Sequence, residues 1–228
     1  MNEIVEGIFK AIELIVTLDP EVIEIATRSI AISLTATFIA ALLAIPIGAL
    51  ITFLEFRGRR SLINVIQTLY ALPTVLVGLF VFMLISRAGP LGFMRLLFTP
   101  TGMVIGQTLL ILPILIGLTI SALSGVDPTI RDTLQSLGAT KVQFLTSAVR
   151  EARYAIMAAV VLGFGRAISE VGAAIMIGGN IRGHTRVLTT AISLETSMGN
   201  LPVSIALGII LLLIALVVNI LLATVQHR

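Results

Sequence analysis

The sequence predicts an all-α membrane protein: about five transmembrane helices in a single transmembrane domain, 1–228, opened by an N-terminal amphipathic helix. Three observations lead there. Of 228 residues, 57% are hydrophobic and only 12% charged, where a soluble domain carries roughly 25% charged residues. Mean hydropathy is +1.09. The apolar residues also fall in uncharged runs long enough for the roughly 20 residues that cross a bilayer.

The same composition excludes several classes of function. A net charge of +3, with no basic run interleaved with aromatics, does not suit nucleic acid. With no cysteine there is no disulfide, no thiolate metal site and no thiol catalysis. His184 and His227 have no partners at ligand spacing, so neither a metal site nor a cofactor is expected. No phosphate-cradling GxxxxGK[ST] loop and no nucleophile–base–acid set occurs, so the chain is expected not to be an enzyme. Glu3 and Glu6 stand where a cleavable signal would carry positive charge.

In chain order, residues 1–18 set Ile4, Val5, Ile8, Phe9, Ile12, Ile15 and Val16 among Glu3, Glu6, Lys10 and Glu13. That reads as an amphipathic helix lying in the interface or packed along other helices. Asp19-Pro20 is a cap followed by proline in the first turn, and the first span covers about 26–53. Ala40, Ala44 and Gly48 recur at every fourth position on it, a seam of small residues for close packing. Pro46 is a candidate kink. FRGRR at 56–60 is a basic hairpin leading to the second span, 62–86. Asn64, Gln67 and Tyr70 in that span are expected to face protein rather than lipid. A glycine- and proline-rich loop precedes the third span, 102–123, with a Gly102/Gly106 step and Pro113 as a second candidate kink. The fourth and fifth spans are 154–179 and 201–225, joined through GGNIRGHTR. Gly163-Phe164-Gly165 lies in apolar helix and reads as close packing, not a dinucleotide motif.

Between spans three and four lies 124–153, the longest polar interval, containing DPTIRDTLQSLGATKVQFLTSAVREAR. Asp127-Pro128 again caps a helix, and Ile130, Leu134 and Leu137 give it one apolar stripe. Gly138 fits the position after the helix end, where positive φ is cheap for glycine. Thr140 with Gln143 has the form of a capping box that starts a second helix. The stretch is therefore a helix, a glycine corner and another helix, or else an ordinary solvated loop.

Lysine and arginine in short loops set orientation. With Arg57, Arg59 and Arg60 in the cytoplasm, Arg131, Lys141, Arg150, Arg153 and Arg228 follow. Lys10, Arg28, Arg87, Arg95, Arg182 and Arg186 then lie on the opposite face, with the N-terminus outside and the C-terminus inside. Within the fourth span, Arg166 and Glu170 are four residues apart, a spacing that puts both on one face of a continuous helix. Charges at membrane depth either lock helices together or line a water-filled path. Asn180, Arg182 and Arg186 sit in the glycine-rich loop after that span, a docking surface, an anion funnel or a solvated loop.

Aligned on Gly138, the polar stretch resembles the cytoplasmic signature of ABC importer permeases, two alanines after a glutamate and then a glycine. Asp132 stands at the glutamate, and Thr133 and Leu134 at the alanines. The following isoleucine-x-leucine-proline element is replaced by Ala148, Val149, Arg150 and Glu151. The text SLGATKVQF and REARYAIMAAVVLGFGRAISEVGAAIMIGGNIRGHTRVLTTAISLET resembles the oxyanion branch (molybdate, sulfate, tungstate), and tungstate permeases most of all. The likeness covers nearly the whole chain and is densest at 138–196. It implies a type I ABC importer permease fold in the cell membrane, and a homodimer with a solute path along its axis. It also implies two ABC ATP-binding subunits in the cytoplasm and an extracytoplasmic substrate-binding protein. Residues 128–138 would be the coupling helix, with Asp132, Thr133, Leu134, Gly138 and Ala139 meeting the ATPase. Arg166 and Glu170, read from their charge at membrane depth, are the candidates for lining that path.

Molybdate or sulfate is the alternative solute. From other classes, an ATP-independent secondary transporter calls for inverted repeats, and none is evident. A passive scaffold would leave Arg166 and Glu170 as a structural pair only.

Overall fold

A computed structural model describes residues 2–127, 129, 130, 133 and 136–226, with side chains omitted at Asn2 and 221–226. The elements described are helical. They are α1 (Asn2–Val16), α2 (Pro20–Phe53), α3 (Arg59–Leu69), α4 (Thr74–Ile85), a single 3₁₀ turn (Gly92–Met94) and α5 (Pro100–Ser124). After the polar interval come α6 (Lys141–Glu151), α7 (Arg153–Ile168), α8 (Gly172–Gly178), α9 (Leu188–Ser197) and α10 (Leu201–Gln226).

Among the described residues, three helices are long and apolar enough to cross a membrane: Pro20–Phe53, Pro100–Ser124 and Leu201–Ile220. The number rises to five if each of two bent pairs is one span. Arg59–Leu69 with Thr74–Ile85 turns through 98°, and Arg153–Ile168 with Gly172–Gly178 through 60°. The expectation of about five spans is met when each bent pair is counted as one broken span. The breaks are not at the candidate kinks: Pro46 and Pro113 lie inside helices that run on past them. The first break falls at Pro73, which has no N–H to continue a helix and disfavours helical backbone at Leu72.

The centre is the contact of α2 with α5, with α7 packed on both. Ala40 and Ala44 are fully buried there against Ile111, Leu115 and Ile116. A Cβ on Gly48 would stand 2.8 Å from Thr119 Cβ, so the seam of small residues is what lets α2 and α5 approach. Gly106 does the same toward Ile177, whose Cδ1 lies 2.3 Å from its missing Cβ. Gly163 faces Leu115 in this way, but Gly165 has no neighbour, so close packing within the chain accounts for only one glycine of that pair.

α1 packs lengthwise on α10. Gly7 and Ala11 are the contact residues, and a Cβ at Gly7 would meet Ile205 Cγ2 at 2.5 Å. Its large residues Ile4, Phe9 and Val16 point outward instead, an arrangement stable only where the surroundings are apolar. Asn64 and Gln67, expected to face protein, are exposed: α3 leaves the path of α4 and only Ile66 on it is buried. The 98° turn removes the need to hide them, since α3 is not the first half of a straight span. Leu188–Ser197, unassigned from the sequence, forms α9, which packs on α10 and ends at Gly199 with φ +77°.

Candidate functional site

α7 ends at Ile168 and α8 begins at Gly172, so Glu170 stands in the break. This corrects the expectation that Arg166 and Glu170 share one face of an unbroken helix. The two are nevertheless paired, with Arg166 Nη1 3.0 Å from Glu170 Oε2. The other carboxylate oxygen, Oε1, accepts the Ala173 amide at 3.0 Å. The Glu170 carbonyl accepts the Thr189 hydroxyl at 2.7 Å, which ties the break to α9. Arg166 closes the last turn of α7 and Glu170 precedes the first turn of α8, so each charge opposes the partial charge of its helix end. The pair is uneven in water access: the Glu170 side chain is 1% exposed and that of Arg166 36%.

The two broken spans meet at their breaks. A Cβ on Gly172 would stand 2.8 Å from Val75 Cγ2 and 3.2 Å from Thr74 Oγ1. One turn on, a Cβ on Gly78 would reach the Ala173 Cα at 2.8 Å. α4 and α8 thus lie backbone against backbone with Arg166 and Glu170 beside the junction. On α7, Ala155, Ala158, Leu162, Gly165 and Ser169 recur at spacings of three and four and are all exposed, with Arg166 on the same face.

Of the loop candidates, Asn180 has φ +50° and its side-chain amide donates to the Thr190 carbonyl at 3.2 Å. Arg182 and Arg186 do not form a free cationic funnel. Both pair with Glu21, Arg182 through a close contact and Arg186 at 3.5 Å. Hydrogen bonding to Glu21, with its charge, raises the Arg182 pKa further. Arg28 donates to the Arg186 carbonyl at 3.1 Å and pairs with Glu24. Neither Glu21 nor Thr189 was marked as a site residue by the sequence. The one available signal was Glu21 in the first turn after the Asp19-Pro20 cap.

In the polar interval, Asp132 and Leu134 lie outside the described residues, as do Pro128, Arg131, Gln135 and Arg228. Thr129, Ile130, Thr133 and Ser136 are helical. Asp127 Oδ1 accepts the Thr129 amide at 2.8 Å and its hydroxyl as well, and these bonds hold the Asp127 carboxyl below its ordinary pKa. Thr133 is exposed and its hydroxyl donates to the Thr129 carbonyl at 2.7 Å. Gly138 has φ +74°, with nothing within 4 Å of where a Cβ would be. Ala139 is half-buried, and Thr140 and Gln143 form the capping box that starts α6. α6 is anchored to the body through Ala148, and Phe144 packs edge-on to Phe53 with centroids 4.8 Å apart. Leu137, 77% exposed, and Val142, 70% exposed, are uncovered on this elbow.

Comparison with known proteins gives this architecture its family. The pattern of the family described as binding-protein-dependent transport system inner membrane component matches residues 23–228. The tungstate uptake system permease protein TupB of Peptoclostridium acidaminophilum is 45% identical over 228 residues, covering 100% of both chains. TupB of Campylobacter jejuni is 35% identical over 96% of this chain and 92% of its own. The molybdenum transport system permease protein ModB of Escherichia coli K12 is 28% identical over 82% and 91%. A crystal structure of a bacterial ABC transporter that imports the acidic polysaccharide alginate shares the fold, with TM-score 0.67 over 89% of this chain and 79% of that one, at 20% identity. The chain belongs to the inner membrane components of binding-protein-dependent transport systems, as a permease subunit of an ABC importer.

Proposed function

We propose that this chain is the permease of a tungstate importer, working as a homodimer whose solute path runs between the two copies. The observation that carries the solute is the 45% identity to a tungstate permease over the whole of both chains. Molybdate and sulfate are the second reading, favoured by the lower but extended likeness to ModB and to the sulfate permease CysT of Salmonella typhimurium. ATP hydrolysis falls to the partner ATPase, and a substrate-binding protein delivers the anion.

The uncovered face of α7 supports the dimer. Small residues there permit close approach of a second helix, and Arg166 on the same face would stand at the boundary between copies. The pair with Glu170 leaves little net charge on the path, which suits a site that must release a dianion as readily as it admits one. The elbow at 127–140 is the coupling element. Its capped helix and glycine corner have few free torsions, so an ATPase movement arrives at α6 and α7 as a nearly rigid push. Exposed Leu137 and Val142 are the apolar contacts an ATPase groove would cover. In this reading the N-terminus is extracytoplasmic and the C-terminus cytoplasmic.

Reconstitution of the chain with its ATPase and binding protein tests the solute. ATP-dependent accumulation of tungstate should exceed that of molybdate and sulfate at equal concentration. Sulfate accumulated as fast as tungstate would remove the tungstate assignment.

A further inference from the structure

The loop 86–99, between α4 and α5, encloses an open cavity of about 1050 Å³ lined by Arg87, Phe93, Arg95 and Phe98 among others. Its sequence, SRAGPLGFMRLLFT, contains two arginines and no acid. It lies at the same end of the bundle as the Glu21 cluster, because the Phe98 amide donates to the Ile177 carbonyl at 2.9 Å, beside the start of loop 179–187. The charges at that end are handled differently. Arg28, Arg182 and Arg186 each have a carboxylate partner, whereas Arg87 and Arg95 have none among the described residues. Both unpaired guanidiniums line this one cavity.

The loop folds tightly onto the end of α4, with the Leu91 amide donating to the Leu84 carbonyl at 2.9 Å. That fold fixes Arg95 at φ +51° and Phe98 at φ +59°, a conformation side chains other than glycine seldom adopt. Beside the arginines, Phe93 is 80% exposed and Met94 49%. On α4, which leads into the loop, Phe80 and Met83 are exposed as well. The cavity therefore offers two donors for a tetrahedral oxyanion at the edge of an apolar surface.

The geometry points to a binding site for the headgroup of an anionic phospholipid, whose phosphate meets Arg87 and Arg95 while its acyl chains lie along Phe93 and α4. The same two guanidiniums would accept a free oxyanion. The apolar half of the site distinguishes the sources, since an inorganic anion leaves Phe93 and Met94 uncovered. The proposal does not depend on the identity of the transported solute.

Native mass spectrometry of the full-length chain, released from nanodiscs of mixed phosphatidylglycerol and phosphatidylcholine, tests it. Phosphatidylglycerol should be retained in preference to phosphatidylcholine. Replacing Arg87 and Arg95 together by Gln should weaken that retention roughly 25-fold, two cations at about fivefold each near an anionic surface. Phe93→Ser should lower it with no effect on folding, since the ring packs on little of the chain. The pair Arg57→Gln and Arg60→Gln, on a different loop, should leave it unchanged. Equal retention of both lipids, or retention unaffected by the arginine and Phe93 variants, would overturn the site. Displacement of the lipid by millimolar inorganic phosphate would overturn the lipid assignment in favour of a free anion.

Discussion

Gly172 packs directly on Val75, and through this contact the breaks of two membrane segments touch. Because Val75 is β-branched and opens α4, it has little freedom to move aside. Gly172→Val should therefore push α4 from α8 and reduce transport severalfold at normal membrane levels. Gly208→Ala, on α10, meets nothing inside the chain and lies off the α7 face, so it is the matched control. Uptake assays at equal expression distinguish the two.

Arg166 and Glu170 should respond unequally to removal. Arg166→Ala strands a carboxylate that is 1% exposed, and breaking a buried pair this way costs about 3–5 kcal/mol. Partial water access to Arg166 will bring the loss toward the lower figure. Glu170→Gln leaves a cation that water already reaches, but has one acceptor oxygen where two are used. It should destabilise by about 1–2 kcal/mol, near the value of one unmade hydrogen bond. Thermal unfolding in detergent should rank Arg166→Ala below Glu170→Gln, and the reverse order would refute the asymmetry.

Gly138 is constrained by conformation alone, since nothing surrounds its missing Cβ. A β-branched residue at φ +74° should cost about 1–2 kcal/mol locally. Gly138→Val should then leave insertion intact while ATP hydrolysis and uptake lose their proportion. Gly138→Asn, which tolerates positive φ, should retain most coupling.

Asp127 provides a pH test of the elbow. Its folded carboxyl titrates below its ordinary value because Thr129 donates two hydrogen bonds to it. The cap is thus fully in place above the unfolded value, about 3.9, and is lost as pH falls through the depressed folded value. At neutral pH the elbow should be insensitive to acidification by a unit or two. A carboxyl NMR titration should place the Asp127 midpoint below that of a free aspartate, and Thr129→Ala should raise it.

Much of this was legible in the residues. Asp19-Pro20, the Ala40/Ala44/Gly48 seam, Gly138 and the Thr140/Gln143 box each state a local requirement that the fold then meets. What was not legible depends on partners distant in the chain. Glu170 at four residues from Arg166 reads as one helical face, whereas the break between them is accompanied by Thr189, Thr74 and Val75 from other elements. Arg182 and Arg186 left a docking surface, an anion funnel and a solvated loop open, because their partner Glu21 is about 160 residues earlier. Asn64 and Gln67 read as span residues until the turn at Pro73 takes α3 out of line.

The central claim is that the elbow at 127–140 faces the cytoplasm and meets a separate ATPase. With no cysteine in the chain, Ala139→Cys offers a single reactive thiol. In sealed vesicles an impermeant maleimide should label it only from the cytoplasmic side, and a bifunctional reagent should join it to the ATPase subunit. Labelling from the outer side, with no adduct to the ATPase, would contradict the account.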